Sequence, residues 1–159
     1  MKRVPYEVMV NEFERVLTKY GFEPKDAKAS AELFAQNSMA GVYSHGLNRF
    51  PRVVDYLKKG EIDPKVKAEK IMGFGAFERW DGHRGFGPLN AKLAMDRAVE
   101  LAKEFGMGIV ALGNNNHWMR GGSYGWQAAD QAVSVSAGPI PVQTCLHGVV
   151  WIVRSVIIH

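Results

Sequence analysis

The sequence predicts an α/β fold: an N-terminal helical segment, then a mixed α/β sheet domain that is truncated and is not a standard Rossmann fold. Three observations carry that expectation. Apolar residues recur at helical spacing from Tyr6 to Tyr20. A longer helical stripe, Ala91 to Phe105, runs almost directly into the apolar stretch Gly108-Ile109-Val110-Ala111-Leu112, which has the length and composition of a buried strand. A polar loop and a further helix follow, while no G-x-G-x-x-G occurs: Gly73-Phe74-Gly75 and Gly85-Phe86-Gly87 both lack the third glycine.

Taken in chain order, Tyr6, Met9, Val10, Phe13, Val16, Leu17 and Tyr20 form the first amphipathic helix, which Gly21 ends. A second helix opens near Pro24-Lys25-Asp26, carries Ala27, Ala31, Phe34, Ala35 and Met39, and stops by Gly41. The third starts close to Pro51, where a missing N–H costs nothing, and reaches Lys58-Lys59 before Gly60. Lys67 to Met72 and Phe77 to Trp80 are expected to pair as strands around Gly73-Phe74-Gly75. Gly87-Pro88 opens the strongest helix, with Ala91, Ala94, Met95, Ala98, Leu101, Ala102 and Phe105 on one stripe and Gly106 at its end. The strand is expected to end near Leu112. From Ala132 to His159 the only charged side chain is Arg154, and the apolar residues keep neither a helical nor an alternating period. The expected division is a helical segment 1–60, a partial α/β domain 61–131 and an anomalous tail 132–159.

A chain of 159 residues with 47% hydrophobic and 23% charged residues is long enough for one folded domain and far from the composition of disordered chains. The formal charge of +4 does not point to nucleic acid, because Lys58-Lys59 and the lysines from Lys65 to Lys70 are interleaved with Glu61, Asp63 and Glu69. Cys145 stands alone and the first residues lack the apolar core of a secretory signal, so a cytoplasmic setting is expected. The apolar run Val149-Val150-Trp151-Ile152-Val153 stops at Arg154, far short of the ~20 residues that cross a bilayer, so no membrane partner is expected.

Five histidines show no metal-ligand spacing, and one cysteine builds no thiolate site, so no metal is expected. His83, in Trp80-Asp81-Gly82-His83-Arg84-Gly85, reads as a surface residue of a turn. His45 lies in the break between two helices with Arg49 just before the third. A helix N-terminus there would suit an anion, with Arg49 placed to fork a carboxylate, although the pattern by itself favours a histidine that only caps or packs. Asn114-Asn115-Asn116-His117-Trp118-Met119-Arg120 follows the buried strand, where open α/β sheets bind ligands, and an ordinary polar loop is the alternative. Gly121-Gly122-Ser123-Tyr124-Gly125 matches the G-x-S-x-G elbow of hydrolases, but a loop separates it from the strand that an elbow needs.

The segments Gly41-Val42-Tyr43-Ser44-His45-Gly46-Leu47-Asn48-Arg49-Phe50-Pro51-Arg52 and Asn116 to Ala129, with Trp80-Asp81 and Met95-Asp96-Arg97-Ala98 between them, resemble the malate/L-lactate dehydrogenase family of the second, non-Rossmann type. The resemblance covers residues 1 to about 131. It implies reduction of a small 2-oxo acid, or oxidation of the matching 2-hydroxy acid, with NAD or NADP and more readily NADH. His45 matches the catalytic histidine; Arg49 and His117 match substrate-pocket positions, as carboxylate clamp and as carbonyl polariser or orienter. Many members carry Phe-Gly after the second histidine, whereas this chain has Trp118-Met119-Arg120, which favours the diketogulonate-reducing branch. A homodimer is implied at full family length. The residues from Ala132 are expected to come from a shifted reading frame, since codon degeneracy allows them to be re-read as a family-like continuation. Cofactor-binding residues would then lie largely beyond that point, which leaves two alternatives: a catalytically inactive fragment that does not bind the cofactor, or a small-molecule- or partner-binding domain.

Overall fold

The computed structural model describes residues 3–131, 133–140 and 147–155. They fall into two compact units, residues 1–65 and 66–159.

The first unit is helical: α1 (Tyr6–Lys19), α2 (Pro24–Met39), a single 3-10 turn (Tyr43–His45) and α3 (Phe50–Lys58). Gly21 and Gly41 take positive φ (90° and 77°) just past α1 and α2, the conformation that only glycine reaches without strain. Its core is an aromatic triangle. Phe13 of α1 stacks on Phe50 of α3 at 4.2 Å between centroids, and Phe34 of α2 meets both edge-on at 6.0 and 5.2 Å. On α2 the spacing that places Ala27, Ala31, Phe34 and Ala35 inside holds, but Met39 is 73% exposed because the helix ends there. Buried Asn37 and Ser38 lie on the inward side instead.

The second unit is a five-stranded sheet in the order β1-β2-β3-β5-β4, with β1 (Glu69–Phe74), β2 (Phe77–Asp81), β3 (Met107–Asn115), β4 (Val133–Ile140) and β5 (His147–Ser155). Two helices complete it, α4 (Gly87–Phe105) between β2 and β3, and α5 (Gly121–Ala129) after β3. The β1–β2 hairpin is antiparallel, β2 and β3 are parallel, and β5 pairs antiparallel with both β3 and β4. The mixed sheet thus agrees with the expected fold class. One reading changes. β3 continues to Asn115 rather than ending near Leu112, because its parallel register with β2 runs on to Asp81↔Gly113 and Asn115 pairs with His147 of β5. The weakly charged stretch after Gln131 supplies the backbones of β4 and β5, which pair antiparallel with each other, β5 also with β3.

On β3, Gly108, Val110 and Leu112 turn to α4, whose Ala94, Met95, Ala98, Leu101 and Ala102 are fully buried. Gly108 allows the closest approach, since a Cβ there would lie 2.2 Å from the Ala98 carbonyl oxygen.

One charge lies in this core. The Glu78 carboxylate is 3% exposed and accepts from Arg97 (Nη2 2.9 Å, Nε 3.1 Å), Trp80 Nε1 (2.9 Å) and Lys70 Nζ (3.2 Å), joining β1, β2 and α4. Burial alone would raise its pKa, but these donors outweigh it and hold the carboxyl at about 2. A carboxyl depressed from 4.5 contributes stability that is complete above pH 4.5 and fades as pH falls toward 2. Glu78→Gln should therefore cost about 3 kcal/mol near pH 7, the lower end for breaking a buried pair because Arg97 reaches water. Urea unfolding at pH 7 and pH 3 should show the gap between wild type and variant shrinking at the lower pH; an equal gap at both would refute the assignment.

Candidate active site

His45 closes the 3-10 turn, and Arg49 is the residue from which α3 departs. Two buried polar residues of α2 hold this turn. Asn37 Nδ2 donates to the His45 carbonyl at 3.0 Å, while Ser38 Oγ accepts from the Leu47 N–H at 2.8 Å and donates to the Phe34 carbonyl at 2.9 Å. Between them Gly46 passes so close that a Cβ would fall 2.3 Å from Ser38 Oγ, so no side chain fits. The His45 ring then shares a hydrogen bond with Ser44 through Nδ1 at 3.0 Å.

Arg49 lies one turn along from His45. Its Nε is buried and has no hydrogen-bond partner among the described residues. Leaving a guanidinium N–H dry and unpaired costs free energy, which an incoming carboxylate would offset through a forked pair. The helix N-terminus itself contributes less than expected. The Phe50 N–H is already bonded to the Gly46 and Leu47 carbonyls, both at 3.3 Å, and Pro51 has none to give. Anion recognition at this turn therefore rests on the Arg49 side chain.

In the second unit His117 follows β3 in a loop that is locked rather than free. Asn90, fully buried on α4, donates from Nδ2 to Asn115 Oδ1 and to the Gly82 carbonyl, both at 3.0 Å, and accepts from the Ala68 N–H at 2.8 Å. Asn114 Nδ2 reaches Asp81 Oδ1 at 2.8 Å, and Asn116 Nδ2 reaches the Arg84 and Gly85 carbonyls at 2.6 and 3.1 Å. Gly87 brings the start of α4 against the loop, with a would-be Cβ 2.3 Å from the Asn116 carbonyl oxygen and 2.4 Å from that of His117. The run of three asparagines is thus scaffold, and His117 is the residue that it positions. The Met119 N–H donates to His117 Nδ1 at 3.0 Å.

His45 and Arg49 thus come together on one turn of the first unit, and His117 belongs to the second. Sequence reasoning missed Asn37, Ser38, Asn90 and Met119. For Asn90, the signal was an uncharged polar residue in the first turn of an otherwise apolar stripe. His83 sits in a turn, its N–H donating to Asp81 Oδ1 at 2.7 Å and its half-exposed ring between Glu69 and Asp81. Ser123 lies in the first turn of α5, not on a strand-to-helix elbow, so the hydrolase motif has lost its context. No group of three or more metal-ligating side chains occurs among the described residues. Gly82, Gly85, Gly87 and Gly108 serve close packing: an added Cβ at each would strike the chain's own backbone or an asparagine.

A family model described as malate/L-lactate dehydrogenase matches residues 4–137. The 2,3-diketo-L-gulonate reductases of Pasteurella multocida and Mannheimia succiniciproducens are 50% and 51% identical over 129 residues, 81% of this chain and 39% of each relative. Among solved structures, malate dehydrogenase from Pyrococcus horikoshii superimposes with a TM-score of 0.82 at 33% identity, over 86% of this chain and 39% of that one. Sulfolactate dehydrogenase from Methanocaldococcus jannaschii does so with a TM-score of 0.80 at 33% identity, over 84% and 39%. The chain thus spans about 39% of the length of the curated relatives it matches.

Burial first, and the neighbouring Arg49 guanidinium second, hold the His45 imidazole below its usual 6.5. A ¹H NMR titration should place the His45 midpoint below 6.5, and Arg49→Met should raise it. A midpoint unmoved by the substitution would separate the two side chains electrostatically.

Proposed function

The chain belongs to the malate/L-lactate dehydrogenase family, and from that premise we propose that it carries the 2-oxo-acid-binding and proton-donating part of an NAD(P)-linked reductase, with 2,3-diketo-L-gulonate as substrate. The buried, unpartnered Arg49 Nε, one turn from His45, is the observation that carries the proposal. A guanidinium N–H held dry is matched by a carboxylate, and the carbonyl of a 2-oxo acid is bonded directly to its carboxylate carbon. Once Arg49 grips the acid group, the ketone oxygen comes within reach of a neighbouring proton donor.

Reduction places a hydride on the carbonyl carbon and a proton on its oxygen, and His45 in its imidazolium form supplies that proton. With its pKa lowered, His45 is mostly neutral at pH 7, ready as a base for oxidising the 2-hydroxy acid, while reduction gains from falling pH. For His117 the role that the resemblance implies is that of a carbonyl orienter or polariser. NAD or NADP, preferably NADH, is the cofactor that the resemblance implies. The chemistry assigned to the described residues is confined to the 2-oxo acid and its proton. The proposal extends to a cytoplasmic enzyme that forms a homodimer at full family length.

A second reading, in which this chain binds the acid without turning it over, draws support from its spanning about 39% of the length of the curated relatives it matches. NADH oxidation in the presence of 2,3-diketo-L-gulonate separates the two readings: measurable turnover by the chain removes the second.

Where turnover is measured, His45→Ala should lower kcat by about 10²-fold or more, the usual yield of general acid catalysis. Arg49→Lys should raise KM for the 2-oxo acid although the charge is kept, since an ammonium cannot reproduce the planar fork. Wild-type kcat in the first variant, or wild-type KM in the second, would remove the corresponding role.

A further inference from the structure

Four residues other than glycine adopt positive φ among the described residues: His83 (47°), Arg84 (56°), Asn114 (48°) and Met119 (66°). All four lie in two adjoining segments, the turn after β2 and the end of β3 with the loop that carries His117. Backbone strain persists where the surroundings over-determine it, and it gathers at functional sites. Main-chain bonds lay the turn against the loop, from the Gly82 N–H to the Gly113 carbonyl and from the Arg84 N–H to the Asn114 carbonyl, both 2.8 Å. Asn116 adds its amide to the Arg84 and Gly85 carbonyls. Gly82 is pressed so close that a Cβ there would stand 2.8 Å from the Asn115 Cβ. A shift of the turn therefore carries into the residues just before His117.

One atom joins the two segments. Asp81 Oδ1, at the end of β2, accepts from the His83 N–H at 2.7 Å, closing an Asx turn, and from Asn114 Nδ2 at 2.8 Å. From this geometry we infer that Asp81 is a positioning residue: by gripping a left-handed residue in each segment, its carboxylate sets the course of the loop that presents His117. A side-chain-bearing residue at positive φ has a steric cost that its local bonds must offset. Without Oδ1, His83 and Asn114 each lose that bond, and the loop moves as they relax. Burial alone would raise the Asp81 pKa, but the His83 N–H and the Asn114 amide outweigh it and hold the carboxyl below its ordinary value. The grip is therefore that of an ionised acceptor, whose hydrogen bonds are the stronger kind. An effect of Asp81 on 2-oxo-acid binding rests on the proposed substrate role of His117; the positioning does not.

The test is the ¹H NMR spectrum of the 159-residue chain, with the His117 ring signals assigned by their loss in His117→Gln. Asp81→Asn keeps the acceptor oxygen and should leave those signals in place. Asp81→Ser keeps a hydroxyl that accepts from the N–H two residues on but is too short to reach Asn114, and should move them. Asn114→Gly, which suits the left-handed backbone but has no amide, should move them as well. A merely structural Asp81 would lower the melting temperature and leave the folded-state His117 signals where they are. His117 signals unmoved in Asp81→Ser or in Asn114→Gly, or displaced in Asp81→Asn as far as in Asp81→Ser, would overturn the assignment; if the serine variant does not fold, the other two spectra decide. Adding pyruvate tests the substrate reading separately. Binding about tenfold weaker in Asp81→Ser, the scale of one hydrogen bond, supports it. No movement of the wild-type His117 signals on adding pyruvate would remove the substrate role and leave the positioning assignment standing.

Discussion

The pairing of Asn90 with Asn115 is the constraint on which the second unit depends. Asn90 is fully buried on α4, and its amide satisfies the end of β3, the Gly82 carbonyl and the Ala68 N–H at once. A buried amide that found only some of these partners would cost more than an apolar residue in its place, so the arrangement is sharply specified. It fixes where β3 stops, and the loop that carries His117 begins there. Gly87 follows from the same constraint, because the helix bearing Asn90 must start against the loop carbonyls. The first unit repeats the device on a smaller scale, with Asn37 and Ser38 of α2 gripping the turn that bears His45.

Both units thus hold a histidine-bearing segment with buried side-chain amides or a hydroxyl, each bonded to main chain. Such bonds fix the course of the backbone and leave the reactive ring to the local electrostatics. At His45, burial and Arg49 both disfavour the charged ring. At His117, the Met119 N–H donates to the ring's Nδ1. The unsatisfied Arg49 Nε stands apart from this economy of paired polar groups, in the manner of a group whose partner arrives with the ligand.

The helices of the first unit, the β1–β2 hairpin and α4 were legible because apolar spacing, proline starts and glycine stops coincide there. Met39 shows the limit of periodicity: the stripe extends to it, but the helix does not continue past it to cover it. The end of β3 is not legible because asparagines read as loop, whereas pairing with β2 carries the strand to Gly113 and pairing with β5 takes in Asn115. β4 and β5 were illegible because strand pairing between distant segments leaves no local period. His45, Arg49 and His117 were found by motif resemblance; pattern alone left each with a structural alternative. The asparagine and serine scaffold escaped because the hydrogen bonds by which it holds the loops span 8 to 33 residues of sequence, and nothing local marks them.

The central claim is that Arg49 makes this chain a receptor for the carboxylate of a 2-oxo acid. Calorimetric titration of the chain with pyruvate and with pyruvamide, which keeps the ketone but replaces the charged acid by a neutral amide, tests it most directly. The account predicts that pyruvate binds, that pyruvamide binds at least tenfold more weakly, and that Arg49→Met abolishes the difference. Equal affinity for the two ligands, or a preference that survives in Arg49→Met, would contradict it.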